Sequence, residues 1–333
     1  MRGLQRLTFT RLYSACLIGV PSSKGQRRSG VEHGPEILRK HGIVKKLRKF
    51  NNVVDSGNIR VVEDIADDFE GNVKNPRTVG ANNERIRDAV KESLKKYRPV
   101  ISLGGDHSMA IGTISGSATF LGKAPVVIWV DAHADINPPE LSPSGNLHGT
   151  PLSFLLKELD SSRIALPGFE WCDSQIAAKD IAFIGLRDVD PTELDIIKNH
   201  GIKAFDMNDI DRLGISRVLS ECLDSTDPNG TRDIHLSFDV DALDPSLTPA
   251  TGTPVRGGLF KEEGEFICSE LARTGRLLAV DMVEVNPLLS DADGTTRTCE
   301  AAISLLQHCV GKRASPPFER EDKYVPEGSR TLN

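Results

Sequence analysis

No run of 18 apolar residues occurs in this chain of 333 residues, so the sequence holds no membrane-spanning helix. It also lacks any C-x-x-C pair. The six cysteines, at positions 16, 172, 222, 268, 299 and 309, are scattered, which reads as reduced thiols serving as small core hydrophobes. There is no excess of basic charge: 41 Lys and Arg stand against 47 Asp and Glu, net -6 with a pI near 5.8, so nucleic acid is excluded as a partner. Internal repeats and low-complexity blocks are missing, and no linker interrupts residues 15–312, so that span is read as one domain. With 38% hydrophobic and 26% charged residues, the chain has the composition of a soluble globular protein.

What is present is a series of short apolar runs at 16–20, 59–62, 100–103, 126–130, 181–185, 202–205, 234–238 and 277–283. Charged stretches with helical spacing lie between them. In 83–97, for instance, Ile86, Val90 and Leu94 fall four apart and predict a core-facing stripe. Continuous apolar strands alternating with helices predict an α/β three-layer sandwich: a central, mostly parallel eight-stranded sheet flanked by helices. After residue 312 the composition turns to Pro, Ser, Glu and Arg, and the tail 313–333 cannot build a core element.

The acids and histidines gather at the ends of these runs. V-V-I-W-V is followed by D-A-H-A-D, which spaces Asp131, His133 and Asp135 two apart. In extended chain such residues line one wall. I-H-L-S-F is followed by Asp239-Val240-Asp241, and V-I-S-L by Gly104-Gly105-Asp106-His107, where the glycines allow a sharp turn or a close backbone approach. In parallel α/β sheets ligands bind beyond the carboxyl ends of the strands. Pooled there, His107, Asp131, His133, Asp135, Asp239 and Asp241 offer four carboxylates and two imidazoles. Like charges crowd together only around cations, and two ions sharing bridging carboxylates, roughly 3.5–4 Å apart, suit this set better than one. Oxygen-rich ligation with imidazole and no thiolate favours manganese over zinc. A lone D-x-D is ordinarily a turn or a cap; three such strand ends together are not.

G-G-D-H-S (104–108), V-D-A-H-A-D-I-N (130–137) and S-F-D-V-D-A-L-D-P (237–245) resemble the metal signatures of the ureohydrolases, and within them the arginase family. I-G-V-P-S-S-K-G-Q (18–26), S-G-N-L-H-G (144–149), G-L-R-D-V-D-P (185–191), T-P-A-T-G-T-P (248–254) and M-V-E-V-N-P (282–287) extend the likeness over roughly residues 16–310. Ala134 and Ala242 stand where arginases often have Thr and Gly, and the tail matches no familiar arginase tail. The resemblance implies hydrolysis of L-arginine to L-ornithine and urea by a hydroxide bridging two Mn²⁺ ions. One ion is then held by His107, Asp131, Asp135 and Asp239, and the other by Asp131, His133, Asp239 and Asp241.

On the same basis, Asp135 orients the hydroxide, Glu284 seats the guanidinium and His148 gives a proton to the leaving amine. Asn137, Ser144 and Asn146 offer donors to an α-carboxylate, Asp190 takes the α-ammonium, and Glu193 and Thr253 lie nearby. Agmatine or another guanidine is the alternative substrate. A non-catalytic metal- or arginine-binding relative and a zinc amidohydrolase are the alternatives of other classes. The family implies a homo-oligomer, a trimer. The first fourteen residues carry Arg2, Arg6 and Arg11 and no acid, which fits a mitochondrial transit peptide, with an unstructured cytosolic extension as the alternative.

Overall fold

A computed structural model describes residues 14–62, 69–162 and 166–315. The expected targeting extension, apart from Ser14, and the tail from residue 316 lie outside the described residues. Eight strands form one sheet: β1 Ala15–Val20, β2 Val53–Asn58, β3 Val100–Gly104, β4 Val126–Val130, β5 Ile181–Leu186, β6 Lys203–Asp206, β7 Ile234–Asp239 and β8 Leu277–Val283. Their order is β2-β1-β3-β8-β7-β4-β5-β6, and every pairing between them is parallel, where the sequence had predicted a mostly parallel sheet.

Seven of the eight apolar runs fall on these strands. The run at 59–62 does not: the edge strand ends at Asn58, and only the Ile59 amide continues the ladder, to the Gly19 carbonyl at 2.8 Å. An edge strand pairs on one side only, so Val53–Asn58 can carry Asp, Ser, Gly and Asn and stay half exposed. Its signal was correspondingly faint.

Helices cover both faces. α1 Gly34–Lys40, α2 Ile43–Leu47, α7 Met207–Leu213, α8 Ile215–Thr226, α9 Lys261–Arg273 and α10 Ala292–Cys309 pack on one face, against Leu17, Ile101, Ile128, Leu236 and Val280. α3 Pro76–Leu94, α4 Ala110–Leu121, α5 Pro151–Leu155 and α6 Pro191–Asn199 cover the other, against Cys16, Val100, Trp129 and Phe183. Ile86, Val90 and Leu94 are buried on α3 as their spacing predicts. The period of two along each strand splits its residues between these two cores.

All six cysteines are free and buried. Burial pushes the thiols of Cys222 and Cys299 up to about 12 and raises those of Cys16 and Cys268. Alkylation proceeds through the thiolate. The native protein is therefore expected to take up almost no iodoacetamide at about pH 8, and the unfolded chain six equivalents by mass spectrometry. Rapid labelling of Cys222 in the native state would contradict this burial.

Candidate metal centre

The carboxyl ends of β3, β7 and β4 lie close together because β3 and β7 flank β8 near the middle of the sheet and β4 pairs with β7. Just past β3 the chain doubles back at Gly105, where a Cβ would sit 2.0 Å from the Ser22 carbonyl oxygen. Only glycine fits, and the turn delivers His107. Asp106 is not part of the cluster: its carboxylate accepts from the amides of Gly25 (2.9 Å) and Ser108 (3.0 Å), fixing the loop that follows β1.

The six acids and imidazoles predicted from the strand ends converge. His107 Nδ1 stands 3.0 Å from Asp131 Oδ2, 3.2 Å from Asp135 Oδ2 and 3.3 Å from Asp239 Oδ2. His133 Nδ1 stands 3.2 Å from Asp131 Oδ1 and 3.3 Å from Asp241 Oδ2. Asp131 thus turns one oxygen to each imidazole. The expected route was not followed throughout, however. Asp135 has φ 51°, so the trio does not run on as extended chain; a left-handed turn aims Asp135 at His107. Glu284 shares the trait, with φ 65°. Asn75, which caps α3, is the other described non-glycine residue in that region.

Donors around one octahedral ion sit about 3 Å apart, √2 times a bond of about 2.1 Å, which is the spacing seen here. His107 Nδ1 is buried and has no hydrogen-bond partner although three carboxylate oxygens face it. Two divalent cations also balance the four carboxylates. The residues therefore fit a pair of metal ions. Without cations, protons compensate. Burial opposes charge on His107, yet Asp131, Asp135 and Asp239 hold its imidazole well above the usual range. Burial, with Asp131 beside it, pushes Asp241 up to about 6, and burial, with Asp241 beside it, raises Asp239 as well.

Metal must displace these protons. Apparent manganese affinity is therefore expected to weaken as pH falls through about 6, and binding to release protons. Calorimetry in buffers of different ionisation enthalpy measures this; proton-independent binding would contradict it.

A cleft of about 200 Å³ opens above the cluster, lined by His133, Asp135, Asn137, Ser144, His148, Asp188, Asp190, Glu193, Asp239 and Thr253, among others. Asn137 Nδ2 donates to Asp190 Oδ2 at 2.8 Å, and Asn137 Oδ1 is buried without a partner. Glu193 is buried beneath, accepting from the amides of Ile136 and Asp190 (both 3.0 Å), and burial pushes it up to about 7. Thr253 Oγ1 donates to Asp241 Oδ2 at 3.0 Å. Both line the cleft, Glu193 from its buried floor and Thr253 from an exposed position beside Asp241. Asn146 lines an adjoining cavity of about 380 Å³ with Lys24, Gln26 and Lys74.

Glu284 lies deeper than expected. It accepts from Gln26 Nε2 at 2.6 Å and from the His107 amide at 2.9 Å, and its Oε1 is 3.3 Å from His148 Nδ1. Burial disfavours a charged His148, but Glu284 prevails and lifts it to about 8. Gln26 sits in a quoted motif yet received no role from sequence. Trp129 was missed too: it stacks on His107 (4.1 Å between centroids, 8° between planes), and its Nε1 donates to Asp131 Oδ2 at 3.2 Å.

A doubly covered parallel sheet with a carboxylate–imidazole basin at its carboxyl edge defines an α/β protein with a candidate metal centre at its strand ends. Comparison with known proteins narrows this. The arginase family model matches residues 13–311. Human Arginase-1 is 50% identical over 93% of this chain and 95% of its own length. Human mitochondrial Arginase-2 is 47% identical over 94% and 91%. The solved arginase of Bacillus caldovelox, 35% identical, superposes with a TM-score of 0.80 over 90% of this chain and 99% of that one. The chain belongs to the arginase family.

Proposed function

We propose that this chain hydrolyses L-arginine to L-ornithine and urea at a centre of two manganese ions. The hydrolysis follows from family membership over nearly the whole chain. The two-ion reading is carried by Asp131, whose oxygens face two different imidazoles. His107, Asp131, Asp135 and Asp239 would hold one ion, and Asp131, His133, Asp239 and Asp241 the other. When bound, the pair supplies a water acidified toward neutrality as nucleophile and charge to stabilise the transition state.

The chain's own groups do the rest. A guanidinium arrives protonated, because its pKa exceeds about 12. Glu284, fixed by Gln26 and the His107 amide, is an immobile negative charge for that end of the substrate. It also holds the His148 proton, which the leaving amine needs to depart neutral. Asn137 and Ser144 in the cleft offer donors to the α-carboxylate, with Asn146 beside them, and Asp190 accepts the α-ammonium. Asp135, on the cleft wall, is placed to orient the attacking water.

A urea assay on manganese-loaded protein tests this with L-arginine against agmatine, which lacks the carboxylate. Turnover confined to L-arginine is expected; equal use of agmatine would remove the carboxylate donors from the account. No described helix is long and apolar enough to cross a membrane. A mitochondrial address is supported by the arginine-bearing, acid-free N-terminus and by the relative named as mitochondrial. The arginase likeness further supports a homotrimer.

A further inference from the structure

The wall behind the cluster holds a second polar assembly with no part in the mechanism above. His235, Ser237 and Asp239 recur at every second position of β7 and so share a face. The register sets Ser237 between Trp129 of β4 and Asp281 of β8. His235, Ser237 and Asp281 are all 0% exposed. Three donors converge on Asp281 Oδ2: Thr113 Oγ1 at 2.7 Å, His235 Nε2 at 2.8 Å and Ser237 Oγ at 3.4 Å.

Counting hydrogens gives this chain a direction. A carboxylate oxygen accepts and does not donate. With its one hydrogen given to Asp281 Oδ2, 3.4 Å away, Ser237 meets His107 Nε2, 2.9 Å away, as an acceptor. In that arrangement Nε2 carries a hydrogen, and Nδ1 is the nitrogen facing Asp131, Asp135 and Asp239.

We propose that Asp281 is a positioning residue: acting through Ser237, it fixes His107 Nε2 as a hydrogen-bond donor and presents Nδ1 as a metal ligand. The inference rests on the two-ion reading. Partners that orient a ligating histidine in this way typically carry about 10–100-fold in metal affinity.

Manganese titrated into the metal-stripped full-length protein, with the free ion followed by its EPR signal, tests the inference. The unaltered protein is expected to take two ions. In Asp281→Asn the amide can donate, so the Ser237 hydrogen is free to turn to Nε2. This variant is expected to bind one ion about 10–100-fold more weakly while keeping the other. Ser237→Ala cuts the same path and is expected to match it. Thr113→Val, off the path, is expected to leave both ions in place. Circular dichroism checks each fold, and a misfolded Asp281→Asn leaves Ser237→Ala to decide. Unchanged binding, or equal weakening of both sites, would overturn the inference. Failure of the unaltered protein to bind manganese would instead defeat the two-ion reading itself.

Discussion

Asp239→Ala is expected to fold, to retain fewer than two manganese ions per chain and to release urea at least about 10³-fold more slowly. Asp239 stands 3.3 Å from His107 Nδ1 through one oxygen, while the other accepts from the Asp241 amide at 2.8 Å. It therefore ties the His107 side of the basin to the Asp241 side. Loss of metal forfeits several kcal/mol of transition-state stabilisation, and each 1.4 kcal/mol or so is a factor of ten. Losing a repelling charge also relieves the crowding among the acids, so the fold is expected to survive. His133→Ala is expected to behave alike. Elemental analysis beside a urea assay decides: near-normal metal content and turnover in either variant would refute the ligand set.

Asp190→Ala is expected to separate substrate binding from metal binding. Its carboxylate lies on the cleft wall and is held by Asn137 Nδ2 at 2.8 Å. A hydrogen bond to a charged partner contributes about 1.5–3 kcal/mol, so kcat/KM for L-arginine is expected to fall roughly 10- to 150-fold. The bracing of α6 is expected to persist, because Glu193 still accepts from the backbone amide of residue 190. Manganese content is expected to stay at two per chain. Unchanged arginine kinetics would remove Asp190 from the specificity assignment, and lost metal would make it a structural residue instead.

The sheet was legible because seven of its strands carry dense apolar runs, as buried parallel strands must. β2 escaped notice because it needs only one protected side. The acids at the strand ends were legible as a group, since carboxylates seldom gather without a cation. Their aiming was not: an extended trio could be drawn from the period of two, whereas Asp135 turns left-handed. Nor does an apolar reading of I-H-L-S-F reveal that His235 and Ser237 share the face of Asp239. That alternation was in the sequence, masked by Ile, Leu and Phe facing the other core. Gln26 and Trp129 act through contacts with residues more than a hundred positions away or across a stacked ring, which spacing along the chain does not encode.

The strand order carries a consequence for biosynthesis. β7 and β8 are the last strands to leave the ribosome, yet they occupy the centre, between β3 and β4. Until residues 234–283 emerge, the nascent chain can build only two half-sheets, β2-β1-β3 and β4-β5-β6, with an open seam between them. His107 belongs to one half and Asp131 to the other, and Asp239 arrives with the strands that close the gap. The metal centre is thus a seam product: a chain cut short before β7 has both margins of the basin and nothing to join them.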